Sequence, residues 1–138
     1  MNWKIVLLLS LFGIVVGFAG VYGLSGTGEL IVWLIVFLIY AVIIGKRLES
    51  DFFVHALLAT ILAGLWVGVI HAAFLKTYVA HNAQLRAGRS MMPKTAHPRL
   101  IMVMMGPFIG AVTGVVAGLM AAVAGKLFKH KKQAVSQE

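Results

Sequence analysis

The sequence predicts an all-α integral membrane protein, a single bundle of four transmembrane helices. Of its 138 residues, 61% are hydrophobic and 12% are charged, whereas soluble domains have about 45–50% apolar and about 25% charged residues. The mean hydropathy is +0.97, and the apolar residues fall into four long runs. A soluble chain of this size lacks the polar surface to cover so large an apolar excess, so lipid is the expected solvent for it.

The first predicted span covers residues 5–24, an apolar run without a charged residue. About 20 apolar residues are the length that a helix needs to cross the hydrocarbon core of a bilayer. Residues 25–28 are Ser, Gly, Thr and Gly, a composition typical of a turn. We expect Thr27 to cap the next helix, because its hydroxyl can accept a hydrogen bond from a free backbone N–H group.

The second and third predicted spans cover residues 28–45 and 52–79. The second span carries Glu29 near its positive N-terminal end, and its residues 30–40 are bulky on every face. Such a helix offers no groove for close approach, so we expect it at the periphery, against lipid. For the third span, Ser50 or Asp51 is the expected N-terminal cap.

The fourth predicted span covers residues 98–128 and begins with Pro98, whose missing N–H group has no cost in a first helical turn. Pro107 inside this segment removes a backbone hydrogen bond, which predicts a kink. A re-entrant turn at this position is the alternative. Residues 1–128 are thus expected to form one domain, and residues 129–138 a short, polar and basic tail with frayed structure.

Charge and cysteine content narrow the function classes. The chain has no cysteine, which excludes disulfides, thiolate nucleophiles and thiolate metal sites. Its net charge of +8 comes from basic residues between and after the apolar runs. This distribution is typical of topology-setting flanks in contact with anionic lipid headgroups, and we expect no nucleic-acid partner. The positive-inside rule slightly favours both termini in the cytoplasm.

Small residues recur along three of the predicted spans at helical spacing, a pattern that lets helix backbones approach closely in a membrane. The first span carries Ser10, Gly13, Gly17 and Gly20, the third carries Thr60, Gly64, Gly68 and Ala72, and the fourth carries Gly106, Gly110, Gly114, Gly118 and Ala122. We interpret these stripes as packing within one bundle. The alternative is that the stripe of the fourth span forms a homo-oligomer interface.

Two histidines are the ionisable residues expected at membrane depth, where a polar group is a functional candidate by default. His55 lies near the start of the third span, so we expect it to be solvated or bound to lipid headgroups. His71 lies deeper and shares a helix face with Thr60 and Tyr78. A hydrogen bond of His71 to Tyr78, to a threonine or to a backbone carbonyl is the simpler interpretation. The alternative is a ligand or proton pathway lined by His71, Thr60, Tyr78 and Thr113.

Basic residues dominate the segment between the third and fourth spans. Arg86, Arg89, Lys94 and Arg99 could bind an anion such as a lipid phosphate, helped by the free N–H groups at the start of the fourth span. Topology and headgroup contact explain the same residues without a specific site. The two intramembrane histidines are about 24 Å apart along the helix and on nearly opposite faces, so one chain cannot use both for a haem. We expect no metal and no cofactor.

Three functions remain open. The first is a non-enzymatic packing, assembly or accessory subunit, alone as a homo-oligomer or with a membrane-protein partner. The second is a small channel or transporter with a pathway past His71. The third is a lipid-binding or lipid-modifying protein that uses the basic segment of residues 76–99. In general shape the chain is similar to small four-helix bacterial membrane proteins, so the bacterial plasma membrane is the expected location, and this similarity carries no mechanism.

Overall fold

The computed structural model describes residues 1–89 and 97–135, and within these ranges it contains helices and no strand. In chain order the helices are α1 (Trp3–Ser10), α2 (Phe12–Val21), α3 (Thr27–Arg47), α4 (Phe52–Ala73), α5 (Leu75–His81), α6 (Ala83–Arg89) and α7 (Pro98–Val135). Four stretches are long and apolar enough to cross a membrane: Trp3–Val21, which joins α1 and α2, then α3, α4 and residues 98–130 of α7.

Two of the predicted spans are interrupted. The first has a single-residue break at Leu11, whose N–H group bonds to the carbonyl of Leu8, three residues back. Because this bond spans three residues instead of the usual four, the turn is tighter here. The third predicted span ends at Ala73, six residues earlier than expected, because Phe74 leaves the helical conformation. The short helix α5 then continues the chain at a new angle, so Tyr78 lies on a separate helix from His71.

The expected cap of the second span is wrong, whereas the position of the cap of the third span is confirmed. Gly26 rather than Thr27 is the N-cap of α3, with φ of 61°. Asp51 is the N-cap of α4, with φ of 56°, and its side chain forms no capping bond. A positive φ orients the residue away from the geometry in which a cap side chain reaches the first turn, and glycine adopts it at little cost. Glu29 does lie in the first turn of α3.

Helix α7 is continuous from Pro98 through Pro107 to Val135, so the alternative of a re-entrant turn is wrong. Pro98 is its first residue, as predicted. The expectation of a frayed tail after residue 128 is also wrong for residues 129–135, which continue the helix. Lysine, glutamine and alanine are all good helix formers, which explains why the polar end of α7 stays helical.

Helix α4 is the central element, and glycine contacts hold it on two sides. On one side Gly64 and Gly106 of α7 meet backbone to backbone, and a Cβ atom on either would collide with the carbonyl oxygen of the other. On the opposite side, a Cβ on Gly13 would collide with the backbone of Ala63. The small-residue stripes therefore pack the helices of this chain against each other.

The stripe of α7 is covered along its length by α4. Beyond Gly106, a Cβ on Gly110 would lie 2.6 Å from the carbonyl oxygen of Thr60, and one on Gly114 would lie 2.9 Å from a methyl group of Leu57. Gly118 has the ring of Phe53 against it. The stripe is therefore occupied within the chain and is not free to form a homo-oligomer interface, which corrects the alternative interpretation.

The expectation that the second span lies at the periphery is wrong. Helix α3 buries one face, which includes Val36, Phe37, Tyr40 and Ile44. The hydroxyl of Tyr40 donates a 2.7 Å hydrogen bond to the carbonyl of Leu9. A helix that is bulky on every face can still pack through one of them when its polar atom finds a partner.

The least buried of the four long helices is α7. Only 22% of its most apolar stretch is buried, compared with 33% for α3 and 44% for α4. The chain thus leaves most of the surface of α7 uncovered while using its glycine stripe completely.

Replacing Gly64 with alanine tests the central contact. The added Cβ collides with the Gly106 carbonyl, so α4 and α7 must separate, and overpacking of this kind costs about 1–3 kcal/mol. We expect a clear drop in the thermal unfolding midpoint in detergent micelles. The matched control is Gly88→Ala, because a Cβ at Gly88 meets no atom within 4 Å. Equal midpoints for the two variants would contradict the contact.

Candidate functional site

Five buried polar residues lie in the described part of the chain: Ser10, His55, Thr60, His71 and Asn82. Buried polar groups normally have hydrogen-bond partners, and an exception calls for a functional explanation. The hydroxyls of Ser10 and Thr60 each donate to a backbone carbonyl of their own helix, Leu7 and Ala56, at 2.8 Å. The remaining three residues connect different helices and are described in turn.

His55 connects the start of α1 to the start of α4 through hydrogen bonds of its ring. The backbone N–H of Asn2 donates to Nε2 of His55 at 2.8 Å, so Nε2 carries no proton. Nδ1 must then carry the proton and donate to the carbonyl of Asp51 at 2.7 Å. Only 2% of the residue is exposed, which makes the expectation of a solvated or headgroup-bound His55 wrong. The partner that buries it lies 53 residues away in the sequence.

His71 and Tyr78 form a stacked pair at the other end of α4. Their ring centroids are 3.8 Å apart, and the ring planes differ by 18°. The shared face expected from the seven-residue spacing therefore brings the two side chains together. The contact is a ring stack, and among the described residues Nε2 of His71 has no hydrogen-bond partner. Only 8% of His71 is exposed. It is therefore the one buried polar residue of the five that has a side-chain nitrogen without a hydrogen-bond partner among the described residues.

The unpartnered nitrogen of His71 is pressed against α2. A Cβ atom on Gly20 would lie 2.6 Å from Nε2, so glycine at this position lets the imidazole approach the backbone, as the small-residue stripe predicts. The backbone of Gly17, one turn earlier, also faces the ring. The imidazole therefore fills a notch in α2 that a larger residue would close.

Asn82 and Glu29 complete a polar cluster with His71 and Tyr78. The side-chain amide of Asn82 donates to the carbonyls of Gly20 at 3.3 Å and of Tyr78 at 3.2 Å. The carboxylate of Glu29, in the first turn of α3, lies close enough for its charge to act on Tyr78. The pKa of the Tyr78 phenol is raised above its ordinary value, mainly because the phenol is partly buried and to a lesser extent because of this negative charge.

Asn82 and Glu29 were missing from the sequence-based site. Asn82 follows Tyr78 by four residues and His71 by eleven, so the same helical spacing that linked the other two could have found it. Glu29 comes from the start of α3 and had no local signal, because its proximity to Tyr78 depends on how α3 packs.

The two threonines expected to line a pathway lie elsewhere. Thr60 is completely buried against Gly110 and Gly114 of α7. Thr113 is partly exposed and donates to the carbonyl of Ile109 in its own helix at 2.9 Å. The structure therefore brings together His71 and Tyr78 and does not bring either threonine to them.

The predicted anion site is only partly covered by the structure. Arg86 is exposed on α6, and Arg99 is exposed in the first turn of α7. Lys94 lies outside the described residues, and only the backbone of Arg89, the last residue of α6, is described. Within the described ranges, no three His, Asp or Glu side chains are grouped so that they could hold a metal ion.

The cluster can form hydrogen bonds and accept a proton at Nε2 of His71. The chain matches no family model, no curated protein and no solved structure.

Alkaline titration tests the link between Glu29 and Tyr78. A raised pKa means that the folded state favours the neutral phenol, so this stabilisation is complete below about pH 10 and is lost as the pH rises through the folded-state pKa. Glu29→Gln should lower the pKa of Tyr78, read from tyrosinate absorbance after subtraction of a Tyr78→Phe titration. Glu49→Gln, in the loop at the opposite end of α3, should leave it unchanged. An identical pKa in both variants contradicts the cluster.

Removing the His55 side chain tests the connection between α1 and α4. His55→Ala leaves the backbone N–H of Asn2 without its partner, whereas the Asp51 carbonyl keeps its bond from the backbone N–H of residue 55. An unpaired buried group costs about 1–3 kcal/mol. Hydrogen exchange measured by mass spectrometry should accelerate in a peptide that covers residues 1–10. His81→Ala is the control, because His81 is exposed and its described hydrogen bond runs to Thr77 in its own helix. Unchanged protection in the His55 variant would rule out the connection.

Proposed function

We propose that this chain is a multi-pass membrane protein, a bundle of four transmembrane helices, that works as a non-enzymatic accessory subunit by binding another membrane protein. The observation that carries the proposal is the contrast between the two faces of α7. Its glycine face is fully used by α4, whereas 78% of its most apolar stretch is not buried, since only 22% is. A helix so apolar and so little covered needs either lipid or a partner helix.

The uncovered side of α7 presents a continuous stripe of large side chains. Met104, Phe108, Val112, Val115 and Leu119 recur at steps of three or four residues and are 45–68% exposed. Anchors at this spacing are the pattern by which one helix recognises another. Methionine adds an adaptable contact surface. We call this set of five residues the outer stripe and assign it to a transmembrane helix of the partner.

The buried polar groups support binding over turnover. His55 and Asn82 are engaged in contacts between helices, and the hydroxyls of Ser10 and Thr60 are engaged within their helices. A lipid-modifying activity would need a hydrogen-bonded acid-base or nucleophilic pair, whereas Nε2 of His71 has no hydrogen-bond partner among the described residues.

A channel or transporter is the second candidate, favoured by one observation. Nε2 of His71 is buried and unpartnered among the described residues, and such an atom inside a membrane is a candidate for proton or ligand passage. The separate positions of Thr60 and Thr113 weaken this alternative. Proton flux into liposomes that contain the chain, lost in His71→Ala, would favour the channel; flux equal to empty liposomes would favour the accessory subunit.

Site-specific photocrosslinking in native membranes tests the proposed partner. A photoreactive residue at Phe108, 63% exposed on the outer stripe, should give one discrete protein adduct whose partner mass spectrometry identifies. The control is the same residue at Val15 on α2, which is 67% exposed and should give lipid adducts alone. The adduct should weaken several-fold when Val112 is changed to lysine, because a charge at the contact is costly.

Three results would contradict this assignment. Lipid adducts alone at Phe108 would mean that lipid covers the outer stripe. An adduct between two copies of the chain would replace the partner protein by a homo-oligomer. A protein adduct of equal yield at Phe108 and Val15 would show contact without specificity.

A further inference from the structure

An apolar groove runs between the C-terminal halves of α3 and α7, apart from both the polar cluster and the N-terminal part of the outer stripe. Its volume is about 590 Å³, and its walls include Leu38 and Val42 of α3 and Leu119, Val123, Leu127 and Phe128 of α7. The two walls present almost exclusively apolar surface. A groove with such walls suits a hydrocarbon chain.

Small residues create the groove. Ala41 of α3 and Ala124 of α7 are among the lining residues, where larger side chains would fill the space. At the end nearest the helix termini, the helices come together, because a Cβ on Gly45 would lie 2.9 Å from the Phe128 ring and 3.1 Å from the Ala124 backbone. The groove is therefore open along the apolar part of the helices and closed by Phe128.

A cationic side chain stands at this closed end. The ammonium group of Lys46 lies 5.6 Å from the centroid of the Phe128 ring, which lines the groove. Lys129 belongs to another side of α7, because its ammonium group lies 5.7 Å from the centroid of Phe52 on α4. Cation–π contacts of this length hold an ammonium group in place without neutralising it. Lys126 is exposed on the same turn of α7 as Lys129.

The acidic residues near this end lie around another depression. Glu49 and Asp51 line a surface pocket with Asn2, Lys4 and His55, on the side of the α1 terminus. The mouth of the groove thus carries Lys46, while those two carboxylates belong to the α1 side.

The dimensions match half a bilayer. Leu119 and Phe128 are nine residues apart, which corresponds to about 14 Å along a helix. Half of a hydrocarbon core is about 15 Å. If the helices cross a membrane as proposed, the groove runs from near the midplane to the interface, where a headgroup would meet Lys46.

We infer that this groove binds one acyl chain of an anionic phospholipid whose phosphate lies against Lys46. The inference rests on the proposed membrane placement and goes beyond it by naming a lipid class and a site. Charge complementarity selects the occupant: a basic residue near a membrane surface attracts anionic lipid by about fivefold per side chain, and the apolar walls hold the chain. A zwitterionic lipid with the same chains fits the groove, but its headgroup is attracted much less strongly by Lys46.

Native mass spectrometry of the full chain released from nanodiscs tests the site. The nanodiscs contain equal amounts of phosphatidylglycerol and phosphatidylcholine with identical acyl chains. One retained phosphatidylglycerol per chain is expected, with a preference of about fivefold over phosphatidylcholine. Lys46→Gln should remove most of this preference, whereas Lys129→Gln should leave it unchanged, because that ammonium group lies against Phe52 of α4. The matched control is Lys76→Gln, at the opposite end of the helices, which should leave the preference unchanged.

Filling the groove separates the acyl-chain contact from the charge. Ala124→Leu should abolish retention of either lipid, whereas Ala111→Leu, the same change on α7 outside the groove, should retain it. Circular dichroism and thermal midpoints confirm that each variant is folded; if Ala124→Leu does not fold, the lysine variants decide the result.

Equal retention of the two lipids by the parent chain, or an unchanged preference in Lys46→Gln, would overturn the inference and leave the proposed function standing. A chain that does not insert into the nanodisc would overturn the proposed function and the lipid site together.

Discussion

The close backbone contact between α4 and α7 is the constraint on which the other helix positions depend. At Gly64 and Gly106 the two helices touch without any side chain between them. Lipid tails are as apolar as the helix surfaces, so burial of apolar area gives little net drive for helix association in a membrane, and close packing takes its place. Because α4 also receives α1 and α2 through Gly13 and its neighbours, this one helix positions α1, α2 and α7. Helix α3 packs mainly against α7 and bonds through the Tyr40 hydroxyl to the carbonyl of Leu9 in α1.

The polar residues act at the two ends of α4. At its start, His55 joins it to the first residues of α1 through two hydrogen bonds whose directions define one neutral tautomer. At its end, His71 stacks on Tyr78 and fits against Gly20. The first histidine has a complete set of partners and serves the fold. The second leaves one nitrogen unpartnered among the described residues, which is why the channel remains the second candidate function.

How much the sequence could predict depended on the range of each signal. The glycine stripes and Pro98 are signals within one helix, and they identified the packing faces and the start of α7 correctly. The buried face of α3 could not be predicted, because large apolar residues occur on every side of this helix and the sequence does not distinguish the side that packs against other helices. His55 was misjudged because its partner, Asn2, is 53 residues away. Asn82 was within reach of the same spacing argument that paired His71 with Tyr78, whereas the position of Glu29 required the packing of α3.

The most direct test of the account asks whether the glycine stripe of α7 meets α4 of the same chain. The chain contains no cysteine, so a Leu57→Cys, Gly114→Cys double variant carries the only thiols. Residues 57 and 114 face each other in the structure, and the smaller residue at 57 makes room for the new one at 114. Oxidation in native membranes, followed by denaturing electrophoresis and mass spectrometry, should show a disulfide within single chains. A disulfide formed only between two chains would contradict the account.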